Sequence, residues 1–222
     1  MAIVVVGGHT RNIGKTSVVA GLIQALPEMR WTAFKVTQFG HGVCSANGQP
    51  CDCETDAHTV AVTEERSSTS GTDTARFLAA GAVRCFWVRT RQGQLAEAMP
   101  RVRKEISRSV NAILESNSIV RFLKPDLFLT VLDPSNRDFK PSAQYVLDRA
   151  DAVLWSGAGE SLHEMSDTAW PQALARLVRD KPQFFVRPPL FTSQDLTRFV
   201  AHRLVNVKVN NHIDVDGDRM TV

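Results

Sequence analysis

Long apolar runs are absent from this 222-residue chain. No stretch approaches the ~18 consecutive apolar residues of a membrane-spanning helix, so no membrane association is expected. The N-terminus lacks the basic segment and cleavage site of a secretory leader and runs straight into an apolar strand, which points to a soluble, cytoplasmic protein. Charge of one sign is also in short supply, the net charge being +3. Basic residues are spread along the chain apart from clusters near Arg84 to Arg91 and Arg101 to Arg108, which read as solvated faces, so a dedicated nucleic-acid binder is not indicated. Cysteine is scarce, and three of the four fall within ten positions; in a reducing compartment that is no disulfide framework. No internal repeat or low-complexity linker divides the chain, whose length suits one large domain or a domain with a small appendage.

What the chain does have is a strand, a glycine loop and a helix in its first 26 residues. The β-branched run Ile3 to Val6 fits a strand buried on both faces. Gly7-Gly8-His9-Thr10-Arg11-Asn12-Ile13-Gly14-Lys15-Thr16-Ser17 follows, and then the apolar-rich segment Val18 to Leu26. Glycines at Gly8 and Gly14 let the backbone turn its N–H groups toward an anion, and the helix beginning there aims its positive end at the same place. Lys15 adds a point charge and Thr16 a hydroxyl suited to Mg²⁺. The usual pattern, G-x-x-x-x-G-K-[ST], fails by one residue, because His9 stands where its first glycine belongs.

Further along, Trp31 to Phe39 reads as a second strand, and strand, helix and strand in about forty residues imply a parallel sheet with a right-handed crossover. The fold class expected is therefore α/β. Residues 40–71 are rich in Gly, Ser, Asn, Asp and Thr, hold Cys44, Cys51 and Cys53, and are too long for a routine loop, so they read as a functional insert. Thr72 to Ala82 reads as a helix stopped near Gly81, and Val83 to Val88 as a strand. Gln94 to Ser109 follows as a helix with Pro100 as a break, then the strand Val110 to Leu114 ending at Glu115, and the strand Leu127 to Leu132. Gln144 to Ala150 reads as a helix, Ala152 to Trp155 as a strand, Leu174 to Val178 as a helix, Phe184 to Val186 as a strand, and Gln194 to Leu204 as the last helix. A single domain over residues 1–204 is expected, and residues 205–222, alternating Val with polar residues around Gly217, suggest a hairpin.

Three stretches carry a family likeness. Gly8, five residues, then Gly14-Lys15-Thr16 resembles the phosphate loop of dethiobiotin synthetase and its relatives. The strand Ala33-Phe34-Lys35, continuing to Gly40, is similar to the second strand of that family and of molybdopterin-guanine dinucleotide biosynthesis protein B, where a lysine also sits near the strand end. Gly71-Thr72-Asp73-Thr74-Ala75-Arg76-Phe77-Leu78-Ala79-Ala80-Gly81-Ala82 resembles the G-K-D-S/T-x-R-x-x-x-A-G-A stretch of the latter. The likeness covers the first half of the chain and departs from the pattern at Ser116, where relatives carry glycine after the strand-end Glu. It implies a three-layer P-loop NTPase of the SIMIBI class, with a mostly parallel sheet flanked by helices, and a homodimer by analogy.

The expected chemistry follows from these residues. Gly8, Arg11, Asn12, Ile13, Gly14, Lys15, Thr16 and Ser17 would hold the phosphates of ATP or GTP, with Thr16 and Glu115 on Mg²⁺. Lys15, Glu115 and Asp73 form the expected catalytic set, although Asp73 at a helix start also suits simple capping. Lys35 would face a small anionic substrate, and His9 contacts nucleotide or substrate, or else points outward. Asp133, Asn136 and Asp138 lie in a loop where such proteins read the base, but no N-K-x-D stands there, so ATP and GTP are both open. Cys44, Cys51 and Cys53, with His41 near and Cys85 within reach, offer soft ligands for Zn²⁺ or an Fe–S cluster, against the alternative of a reduced cysteine loop. The first expectation is thus a Mg²⁺-dependent ATP- or GTP-hydrolysing or phosphoryl-transferring protein in molybdopterin-like cofactor biosynthesis or metal handling. The alternatives are a nucleotide-switched adapter or metallochaperone working on a partner protein, and an ATP-dependent ligase like dethiobiotin synthetase.

Overall fold

The apolar run that opens the chain becomes the middle of a sheet. The computed structural model describes residues 1–39, 60–157 and 172–216. Strand β1, Ile3–Gly8, lies between β5, Asn111–Glu115, and β6, Leu127–Leu132, parallel to both. With β2 at Trp31–Phe39, β3 at Val60–Glu65, β4 at Arg84–Arg91, β7 at Ala152–Ser156 and β8 at Gln183–Val186, the eight-stranded order is β3-β4-β2-β5-β1-β6-β7-β8. All pairings are parallel except β3 against β4 at the edge. This is a three-layer α/β architecture, with the glycine loop at the carboxyl end of a central strand.

Two-residue alternation assigns the strand side chains to two cores. Val4 and Val6 face helices α1, Lys15–Ala25, α2, Asp73–Ala79, and α6, Gln194–Asp216, through Leu22, Phe77 and Val200 among others. Val5 and Phe34 face the other way, onto the buried Leu95, Met99 and Val102 of α3, Leu95–Ser107. A strand covered on both faces gains nothing from polar alternation, which is why β1 opens as an unbroken apolar run and β6 is apolar but for the buried Thr130.

Several boundaries differ from the sequence reading. The insert at 40–71 contains an edge strand, β3, whose sequence VAVTEE is polar at its end and is held by its partner β4 rather than by a core of its own. Helix α3 runs through Pro100 without a break. Residues Pro141–Gln144 form a short helix α4, with a 3₁₀ turn at Leu147–Arg149, where one helix over 144–150 is expected. Helix α5 occupies Gln172–Val178. The hairpin expected from 205 is not seen, because α6 continues to Asp216. An alternating segment becomes a strand only beside a partner, whereas a helix already nucleated at Gln194 extends at little cost. The basic run 84–91 is not a solvated face throughout: Arg89 is 5% exposed and its guanidinium lies 4.4 Å from the Trp87 ring. No helix among the described residues is long and apolar enough to cross a membrane.

Candidate functional site

The loop after β1 is shaped by backbone requirements. Gly8 admits no side chain, since a Cβ there would stand 2.8 Å from the Val131 carbonyl oxygen. Gly14 has φ +89° and serves as the N-cap of α1, where no side chain caps the helix, so first-turn N–H groups are left to face the loop. Asn12 also lies at positive φ, a conformation Asn tolerates better than most residues. The loop is then braced from three sides. Gly8 N–H donates to Asn117 Oδ1 and Asn117 Nδ2 donates to the Gly8 carbonyl, both at 2.8 Å. Thr10 donates to Asp138, and the Phe191 ring lies against Gly14, 2.6 Å from where a Cβ would be.

Next to the loop, four expected site residues meet. Parallel register sets Lys35 of β2 beside Glu115 of β5, and α2 begins alongside with Asp73. Lys35 Nζ donates to Glu115 Oε1 at 2.6 Å and to Thr16 Oγ1 at 3.1 Å, and lies 2.8 Å from Asp73 Oδ2. Thr16 in turn donates to Glu115 Oε2 at 2.8 Å. Glu115 is 5% exposed, Lys35 18% and Asp73 43%, so the cluster runs from the buried strand end out to the cleft. Thr72 caps α2 by accepting from the Ala75 N–H, so capping falls to Thr72 and Asp73 is left to pair with Lys35.

Lys15 bends back over the loop and donates to the Thr10 carbonyl. Burial, with the charges of Lys35 and Lys140 nearby and against the pull of Glu115, holds its pKa down to about 8. An ammonium in that position is under-compensated, and an anion arriving at the loop would stabilise its charged form. Arg76 donates to Ser17 Oγ at 3.0 Å, tying α2 to the first turn of α1.

These residues line one cleft of about 1360 Å³ at the carboxyl ends of β1, β2 and β5. Single small-molecule sites usually enclose ~300–1000 Å³, so there is room beyond one ligand. Among the described residues lining it, six cations, Arg11, Lys15, Lys35, Arg76, Arg121 and Lys140, stand against two carboxylates, Asp73 and Glu115. Burial, and Arg11 nearby, lower the pKa of Lys140.

Other expected residues sit elsewhere. His9 is fully buried behind the loop, its ring 5.2 Å from that of Phe139, with Asp133 N–H 3.4 Å from its Nδ1. It does not line the cleft, and burial lowers its pKa, so it is a neutral packing residue rather than a ligand contact. Ile13 turns its side chain into the core, leaving only its backbone to the loop. Asp133, Asn136 and Asp138 accept hydrogen bonds from Ser135, from the Asp138 N–H and from Thr10, so the loop's own fold uses the groups expected to read a base. Cys85 is a core thiol of β4, its pKa pushed up by burial. Cys44, Cys51, Cys53 and His41 lie outside the described residues, and among those described no group of three or more His, Cys, Asp or Glu side chains is placed to hold a metal. Asn117 and Phe191 were not anticipated; Asn117 alone had a signal, two residues beyond the strand-end Glu115.

No protein-family model matches the chain, and no curated protein matches it. Among solved structures it is similar to LpxK from Aquifex aeolicus, solved in complex with ATP, at 17% identity and a TM-score of 0.45 over 83% of this chain and 53% of that one. The chain thus spans about half the length of LpxK. It is also similar to HypB from Helicobacter pylori, solved in complex with nickel, at 12% identity and a TM-score of 0.48 over 94% and 87% of the two chains. Neither likeness bears on function.

Proposed function

We propose that this chain binds a Mg²⁺–nucleoside triphosphate, ATP or GTP, and transfers or hydrolyses its γ-phosphoryl group, with a small anionic molecule as the second substrate. The observation that carries the reading is the meeting of Thr16, Glu115, Lys35 and Asp73 beside Lys15 at the mouth of the glycine loop. The donor set fits Mg²⁺: hard oxygens from one hydroxyl and two carboxylates, with the Thr16 proton directed at Glu115 so that its lone pairs face a cation, here the Lys35 ammonium.

The chain's own groups then divide the work. The first-turn N–H groups of α1 and the backbone from Gly8 to Gly14 cradle the β- and γ-phosphates, and Lys15 leaves the Thr10 carbonyl to follow the charge. Thr16 and Glu115 would hold the metal, which when bound offsets charge on the phosphoryl oxygens. Asp73 assists the metal or orients the attacking group, and Lys35 meets the second substrate. Arg11, Arg121 and Lys140 line the same cleft without an ion pair among the described residues, which favours an acceptor bearing its own carboxylate or phosphate.

The test is equilibrium binding of ATP and of GTP, with and without Mg²⁺, to the wild type and to Lys15→Ala. The variant is expected to lose at least about a hundredfold in affinity, equivalent to about 2.7 kcal/mol. Equal binding by both proteins would refute the reading.

A further inference from the structure

Lys35 stands where the metal should. Its ammonium nitrogen lies within 3.1 Å of Thr16 Oγ1, Glu115 Oε1 and Asp73 Oδ2, the same three oxygens that suit Mg²⁺. We infer that Lys35 is a resident counter-ion of the metal site: it holds the site closed to divalent cations in the nucleotide-free protein, and Mg²⁺ entering with nucleotide displaces it into the cleft, toward the second substrate.

The inference rests on the proposed assignment of those oxygens to the metal, and the reasoning is steric and electrostatic. Magnesium takes oxygen ligands at ~2.0–2.1 Å, so an ion bound to all three would fall in the space the ammonium fills. One ammonium against two carboxylates leaves the cluster with a residual negative charge, whereas a divalent ion cancels it; both together would leave an excess positive charge beside the already under-compensated Lys15. Free Mg²⁺ must therefore break three contacts of Lys35 with nothing to receive the ammonium. Mg²⁺ arriving on a triphosphate brings negative charge that accepts Lys15 and leaves Lys35 available to an acceptor anion. Metal and nucleotide binding are thereby coupled through one side chain, and because coupling free energy is reciprocal, each ligand strengthens the other.

Mn²⁺ provides a probe whose readout is independent of turnover. Its binding is followed by electron paramagnetic resonance, with and without a non-hydrolysable triphosphate, in the wild type, Lys35→Met, and Lys35→Met combined with Glu115→Gln. The wild type is expected to take up Mn²⁺ only with nucleotide. Lys35→Met should gain nucleotide-free Mn²⁺ binding, with the metal–nucleotide coupling falling by a factor within the usual ~5–150-fold range of such couplings, and the double variant should lose the gain. A wild type that binds one Mn²⁺ without nucleotide as tightly as with it would overturn the inference without recourse to any variant, leaving the proposed nucleotide binding intact. So would equal nucleotide-free affinity in wild type and Lys35→Met, or a gain that persists in the double variant. Absence of both nucleotide and Mn²⁺ binding in every protein would overturn this inference and the proposed function together.

Discussion

His9 occupies the position that a glycine holds in the common phosphate-loop pattern, and its imidazole gives the loop a wall of its own against Phe139. Burial keeps the ring neutral, which sets a pH signature. In the unfolded chain a histidine titrates near ~6.5, so below that pH the unfolded state takes up a proton that the folded state resists. Stability supplied above about pH 6.5 is then lost as the pH falls, at up to about 1.4 kcal/mol per pH unit, until the folded value is passed. Urea midpoints at pH 7 and pH 5.5 should therefore fall further for the wild type than for His9→Gln. Parallel loss in the two proteins would mean the acid sensitivity lies elsewhere. The imidazole is legible in the sequence, but its direction is not, because whether a loop side chain points in or out depends on Asp133 and Phe139, in the connection from β6 to α4 more than a hundred residues away.

Elements, rather than single residues, bring the site together. The carboxyl end of β5 supplies Glu115 and, two residues on, Asn117, which closes both polar backbone groups of Gly8. Asn117→Ala would leave that N–H and carbonyl unpaired at the base of the loop, and unsatisfied groups of this kind cost about 1–3 kcal/mol. Denaturant unfolding should show that loss, with weaker triphosphate binding alongside it; unchanged stability would mean that water or a neighbour replaces the amide. Elements also explain which boundaries were legible. Trp31–Phe39 and Leu127–Leu132 are found at their observed limits because β-branched and aromatic runs flanked by breakers admit one reading. Strand β3 escaped notice because an edge strand needs only its neighbour's hydrogen bonds, not an apolar signature, and residues 205–216 misled because alternation without a partner strand is a weak determinant.

For the whole molecule, a ligand that binds the folded state alone stabilises it by mass action. At a hundred times its dissociation constant a Mg²⁺–triphosphate would add about 2.7 kcal/mol, which for a chain of this size raises the melting temperature by about 5–10 °C. Differential scanning should show that rise for the wild type, a smaller one when Mg²⁺ is chelated, and no more than about 1–2 °C for Lys15→Ala. A rise of equal size in the variant would place the nucleotide elsewhere. Local composition sufficed for the α/β class, the central strands and the loop Gly8 to Ser17, because strand burial, helix capping and backbone freedom are short-range properties. The pairing of Lys35 with Glu115 at 2.6 Å, the clamp of Asn117 on Gly8 and the burial of His9 were decided by the tertiary structure. These contacts join residues 80 to about 130 positions apart, and only the strand order and register of the sheet bring such residues within reach.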